Sequence, residues 1–135
     1  MATADTAGGA AGRGSALPPL VPAAIAAATG LAARLGRETV RCPDRPGLLA
    51  GALLYPHRGG AVQMVQDGYA SAVDIDTAMT AGCGYPRGPL RMLDDRGAAT
   101  VLAGLTAMHV AYGDPAFAPP VLLAEHAAAG LPFCG

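Results

Sequence analysis

Asp67-Gly-Tyr-Ala-Ser71-Ala-Val-Asp74-Ile-Asp76-Thr-Ala-Met79 sets the architecture, and the text on either side agrees with it. Ser71-x-x-Asp74 is a variant of the capping box, so a helix opens here with Ile75, Ala78 and Met79 turned inward. Gly82 to Gly88 carries three glycines and a proline and predicts a loop. Pro89 then starts a short helix to Asp95, because proline lacks only an N–H that a first helical turn leaves unpaired anyway. Ala98 to Tyr112 repeats Val101, Leu102, Leu105 and Met108 at helical spacing. Pro119 or Pro120 opens a last helix that ends near Gly130. These segments predict an all-α domain with short loops, and the sequence has no internal repeat.

Upstream, the pattern is weaker. Pro18, Pro19 and Pro22 mark a helix start, Val21, Ile25, Ala28, Ala32 and Leu35 share one face, and Gly36 ends the helix. Glu38 to Cys42 is short β-like text, and Asp44-Arg45-Pro46-Gly47 is a turn. From Leu48 to Gln66 an apolar segment places Leu49, Leu53, Leu54, Ala61, Val62 and Val65 along one side. Pro56 and Gly59-Gly60 are expected to kink or break it. Residues 1–17 are Ala, Gly, Thr and Ser with almost no bulky apolar side chain, so a disordered arm is expected ahead of a domain at 18–135.

Composition narrows the function classes. The 135 residues suit one domain with a modest core. Apolar residues make up 52%, much of it alanine, which favours helix but buries little surface. Close helix packing or pairing with a second chain would bury more. A net charge of -1 gives no field to attract nucleic acid or an anionic membrane. All nine basic residues are Arg, which excludes a Schiff-base lysine. Cys42, Cys83 and Cys134 lack metal-ligand spacing and read as free thiols of a cytoplasmic protein. There is no signal-peptide pattern, and Ala23 to Ala33 is too short and too weakly apolar to span a bilayer.

Three motifs in order closely resemble the C-terminal helical domain of the 3-hydroxyacyl-CoA dehydrogenases. The family's E-G-x-A-S-x-x-D-I-D-x-A-M run corresponds to Asp67–Met79. Its G-x-G-x-P-M-G-P-F turn corresponds to Gly82–Leu90, and its G-D-P-x-x-x-P-P element to Gly113–Pro120. Further upstream, Leu20 to Gly36 and Glu38 to Cys42 look like the helix and strand that close the family's nucleotide domain. Asp44 to Leu48 looks like its D-x-P-G-F turn. The resemblance runs roughly from Leu20 onward, but the usual K-T-G-x-G-F-Y tail is absent. It implies a helical bundle of five to six helices, like the 6-phosphogluconate dehydrogenase C-terminal domain, and a two-fold homodimer.

The family moves a hydride between NAD and a 3-hydroxyacyl thioester. That chemistry needs a Gly-rich loop for the pyrophosphate and a His base held by a carboxylate, and both belong to a preceding domain for which this chain leaves no room. Gly8-Gly9 and Gly12-x-Gly14 follow no apolar strand and do not make a dinucleotide loop. No cofactor and no metal is expected. The family's P-G-F-x-x-N-R reads Pro46-Gly47-Leu48-Leu49-Ala50-Gly51-Ala52 here, so Gly51 stands where the resemblance implies the substrate-binding Asn. Gly59-Gly60 replaces an Asn-Glu pair. A lost buried hydrogen bond weakens a site by about 1–3 kcal/mol, and losing all these anchors removes the parent reaction.

Other polar residues are unusual for the family. Arg87 stands at the family's Met beside the acyl pocket, and Arg91 follows one helical turn later. Both are either solvated surface residues or a clamp for a carboxylate, enolate or phosphate. His57, beside Arg58 and after Tyr55-Pro56, is either simply exposed or a proton-exchanging group reaching the cleft. Asp74 and Asp76 are expected to cap helices, and Asp94 to make a structural turn bond. Asp94 and Asp95 are neighbours on a helix and point apart.

Three functions follow. The first is a dimeric binding or assembly module for an acyl-CoA or acyl-carrier thioester, which can complete a separate NAD-domain partner. The second is a cofactor-independent cyclase, dehydratase or isomerase on a polyketide-like or acyl substrate. It would use His57, Arg87 and Tyr55 as catalytic groups, with Tyr85, Arg91, Gly51 and Arg58 at the substrate. The third is a remnant without activity.

Overall fold

A computed structural model describes residues 2–3 and 22–135. Element order is β1 (Ala2–Thr3), α1 (Pro22–Arg34), β2 (Thr39–Val40), α2 (Ala50–Gln66), α3 (Ala72–Thr77), α4 (Pro89–Arg96), α5 (Ala98–Tyr112) and α6 (Val121–Ala129). A π turn, Ala78–Gly82, prolongs α3, and a 3₁₀ turn, Pro115–Phe117, precedes α6. The expected helical bundle is therefore present, and its one β ladder among the described residues pairs Ala2 with Val40 and Thr3 with Thr39, antiparallel. Residues 4–17 of the expected arm, with Gly8-Gly9 and Gly12-x-Gly14, lie outside the described residues.

The core is made by α2, α4, α5 and α6, with Ile75 added from α3. Val62, Leu90, Leu93, Val101, Leu105, Met108 and Leu123 are fully enclosed. Burying one such side chain stabilises the fold by about 1.5–3 kcal/mol. Alanine leaves little to bury, so the helices approach closely. A Cβ on Gly59 of α2 would sit 3.1 Å from Leu105 Cδ1 of α5. Gln66 Oε1 at the end of α2 accepts the Leu122 N–H of α6 at 2.9 Å. Gly113 and Gly130 close α5 and α6 in the left-handed conformation, with φ of 65° at each, which glycine adopts without strain.

Three expectations need correction. The Leu48–Gln66 segment is not broken: α2 runs through Pro56 and Gly59-Gly60 over 17 residues. Tertiary packing against α5 outweighs the propensity penalty of those residues. Next, Leu49, Leu53 and Leu54 do not line the core. They are exposed, Leu53 to 74%, because Ala52 and Tyr55 are the residues of these turns that meet the core. Likewise on α1 only Ala32 is buried, Ile25 is half-buried, and Ala28 and Leu35 are exposed. Finally, Ala78 is exposed where it was expected inward, because the π turn that begins there resets the helical face.

Candidate functional site

The Ser71 box forms as expected: Asp74 N–H donates to Ser71 Oγ at 3.1 Å, and that hydroxyl donates to Asp74 Oδ2 at 2.6 Å. Asp76, two residues on, points the other way and is 5% exposed. Its carboxylate caps a different helix. Leu90 N–H donates to Oδ1 at 2.8 Å and Arg91 N–H to Oδ2 at 2.9 Å, the two free amides of the first turn of α4. Gly88 occupies the N-cap position of α4 and has no side chain to offer. A Cβ there would overlap the Asp76 carboxyl group.

The C-terminal segment closes over the same carboxylates. Asp94 accepts the N–H groups of Phe133 (2.9 Å) and Cys134 (2.8 Å). The Cys134 thiol donates to Asp76 Oδ2 at 3.6 Å. Burial, then the charge of Asp76 and the hydrogen bond to it, then Asp94, push that thiol up to about 11, with Arg91 opposing. The Phe133 ring stacks on His126 with centroids 3.9 Å apart.

Beside this junction lies an open cleft of about 270 Å³. Asp76 and Gly88 form its floor, Val73 and Pro86 its apolar sides, and Thr77, Thr80, Arg87 and Arg91 its polar lining. Arg87 bridges to Asp95 at 2.7 Å, with both side chains about half exposed. Asp94 and Asp95 thus do point apart, one to the chain terminus and the other to Arg87.

The remaining sequence candidates sit elsewhere. The His57 ring is 5.8 Å from that of Tyr85, and its Nε2 is buried without a hydrogen-bond partner among the described residues. Tyr55 lies across two glycines: a Cβ would stand 3.2 Å from its ring at Gly51 and 2.6 Å at Gly104. Arg58 is 3% exposed, and among the described residues no carboxylate pairs with it. Desolvation lowers its proton affinity, and nearby Arg96 lowers it further, while Tyr55 opposes. The cleft therefore collects Arg87 and Arg91 but not Tyr55, His57, Arg58, Tyr85 or Gly51. Among the described residues no three His, Cys, Asp or Glu side chains are grouped to hold a metal.

Asp76 caps a helix as expected, though α4 and not its own, while its contact with Cys134 was missed. One signal pointed to α4. A Gly-Pro helix start carries no cap of its own, so a carboxylate from elsewhere has to supply it.

Residues 47–132 match the family described as 3-hydroxyacyl-CoA dehydrogenase, C-terminal domain. A 3-hydroxybutyryl-CoA dehydrogenase of Mycobacterium tuberculosis is 40% identical over 96 residues, covering 71% of this chain and 34% of the relative. A probable 3-hydroxybutyryl-CoA dehydrogenase of Deinococcus radiodurans is 36% identical, covering 76% of this chain and 37% of the relative. The crystal structure of FadB2 from M. tuberculosis superposes with a TM-score of 0.79 at 37% identity, over 82% of this chain and 39% of that one. The (S)-3-hydroxybutyryl-CoA dehydrogenase of Ralstonia eutropha gives 0.77 at 32%, over 81% of this chain and 38% of that one. The chain thus spans little more than a third of the length of these relatives. It belongs to the 3-hydroxyacyl-CoA dehydrogenase C-terminal domain family.

Proposed function

We propose that this helical domain is a dimeric, cytoplasmic binding or assembly module for acyl thioesters of CoA or a carrier protein, and that it does not by itself perform NAD-dependent dehydrogenation. The observation that carries this reading is the apolar surface of α1 and of the start of α2. Leu31, Leu35, Leu49, Leu53 and Leu54 are exposed there on an alanine-rich domain with few large side chains in its core. Covering them with a second copy, or with a nucleotide-domain partner, removes that surface from water. The names of the relatives supply the thioester class.

Two observations favour this over a cofactor-independent enzyme. The space at Gly51, where the family's Asn would stand, is taken by the Tyr55 ring and is not an open cavity. Arg87 is engaged with Asp95, in a cleft that His57 and Tyr55 do not line.

Sedimentation velocity tests the assembly. The wild-type chain is expected to run as a dimer in the micromolar range, and Leu53→Asp as a folded monomer. A monomeric wild type that also fails to capture a nucleotide-binding subunit from native extract overturns the proposal. Calorimetry with acetoacetyl-CoA tests the ligand separately: heat of binding without NADH turnover is the expected result, and no heat removes the thioester part.

A further inference from the structure

The cleft at the start of α4 has a chemical bias that the family assignment does not explain. Its donors are guanidinium groups. Arg91 is exposed, and among the described residues it has no ion-pair partner. Its backbone is nonetheless anchored at the rim of the cleft, because its own N–H is held by the buried Asp76 carboxylate. Arg87 faces the same opening from the loop before α4. Its bridge to Asp95 joins two half-exposed side chains, and such a pair contributes little and exchanges readily.

The other polar groups lining the cleft are accounted for. Thr77 donates its hydroxyl proton to the Val73 carbonyl at 2.7 Å, and Thr80 donates to the Asp76 carbonyl at 2.9 Å. The Asp76 carboxylate is occupied by two backbone amides and the Cys134 thiol, so its charge is directed into the α4 N-terminus. A ligand entering here meets two planar cationic forks and an apolar side formed by Val73 and Pro86.

We infer that this cleft is an oxyanion site, which seats a carboxylate or phosphate group of a small ligand between Arg91 and Arg87. Arg87 exchanges the Asp95 carboxylate for the ligand's oxygens. Guanidinium forks match both oxyanions with paired hydrogen bonds. The site stands whether or not the chain binds acyl thioesters or dimerises, since all its residues come from one chain and none is on the exposed face of α1 or α2.

The test is an amide NMR titration of the isotope-labelled protein with sodium succinate and, separately, with inorganic phosphate, each against sodium chloride at equal ionic strength. Saturable shifts are expected at Thr77, Thr80, Gly88 and Arg91. Arg91→Gln is expected to weaken binding roughly tenfold or more, as loss of a charge-assisted contact does. Asp95→Asn is expected to tighten it, because Arg87 is then released from its competitor. Whichever of succinate and phosphate binds more tightly identifies the group. Shifts that do not saturate or that chloride reproduces overturn the inference. So does unchanged binding in both Arg91→Gln and Asp95→Asn.

Discussion

Arg58 is nearly enclosed on α2, between His57 and the Gly59-Gly60 pair. Among the described residues no carboxylate offsets the hydration that Arg58 loses on burial. Its lowered proton affinity has the same cause, with Arg96 adding to it. Arg58→Met keeps the length of the stem and removes the charge. It is expected to raise stability toward urea by on the order of 1 kcal/mol or more. A loss of stability would mean that the charge is paired in solution, and the same variant examined in a dimer would locate the partner. Sequence alone could place Arg58 next to His57 but not bury it. Burial depends on which side of α2 meets α4 and α5, and the weak apolar periodicity around Pro56 does not specify that side.

The α3–α4 corner depends on a carboxylate crossing between elements. Gly88 has φ −69° and ψ 158°, values open to any residue, so its need for glycine is steric and not conformational. Gly88→Ala is therefore expected to cost about 1–3 kcal/mol through overlap with Asp76. Chemical denaturation followed by circular dichroism would measure it; a neutral result would show that the corner opens without penalty. Helices α5 and α6 were legible to within a residue because their stop signals are strong glycines. The turn of α3 into its π segment was not legible. Thr77 and Thr80 bond back to carbonyls one turn earlier, and such bonds leave no mark in hydrophobic periodicity. The exposed leucines of α2 were misassigned for a related reason: their spacing gives a face but not what that face meets.

Across the whole molecule, the C-terminal segment is held to the body by Asp94 and Asp76. The Cys134 thiol titrates at about 11 in the folded chain, above its ordinary 9.0. The folded state therefore holds a proton that the unfolded chain has already released between those values. The stabilisation is complete below about pH 9 and is lost as pH rises toward 11. Thermal melts from pH 8 to 11 are expected to fall, and to fall less steeply in Cys134→Ser. Identical slopes would place the titration elsewhere. Family and helical class were legible from three motifs, but this closure was not, because it pairs positions 58 residues apart.

Asp76 also constrains how this sequence can change over time. One carboxylate serves an amide pair, accommodates a bare α-carbon at Gly88 and holds a thiol, so these positions do not drift independently. A side chain arriving at residue 88 is harmful while Asp76 remains, and losing Asp76 is harmful while residue 88 cannot cap the helix itself. A serine at 88 could take over that duty, but only in a background where Asp76 has already shrunk. The route between the two solutions passes through a worse intermediate, whichever step comes first. Glycine at 88 is thus held in place by its history with a residue on another helix, although its own backbone angles would accept almost anything.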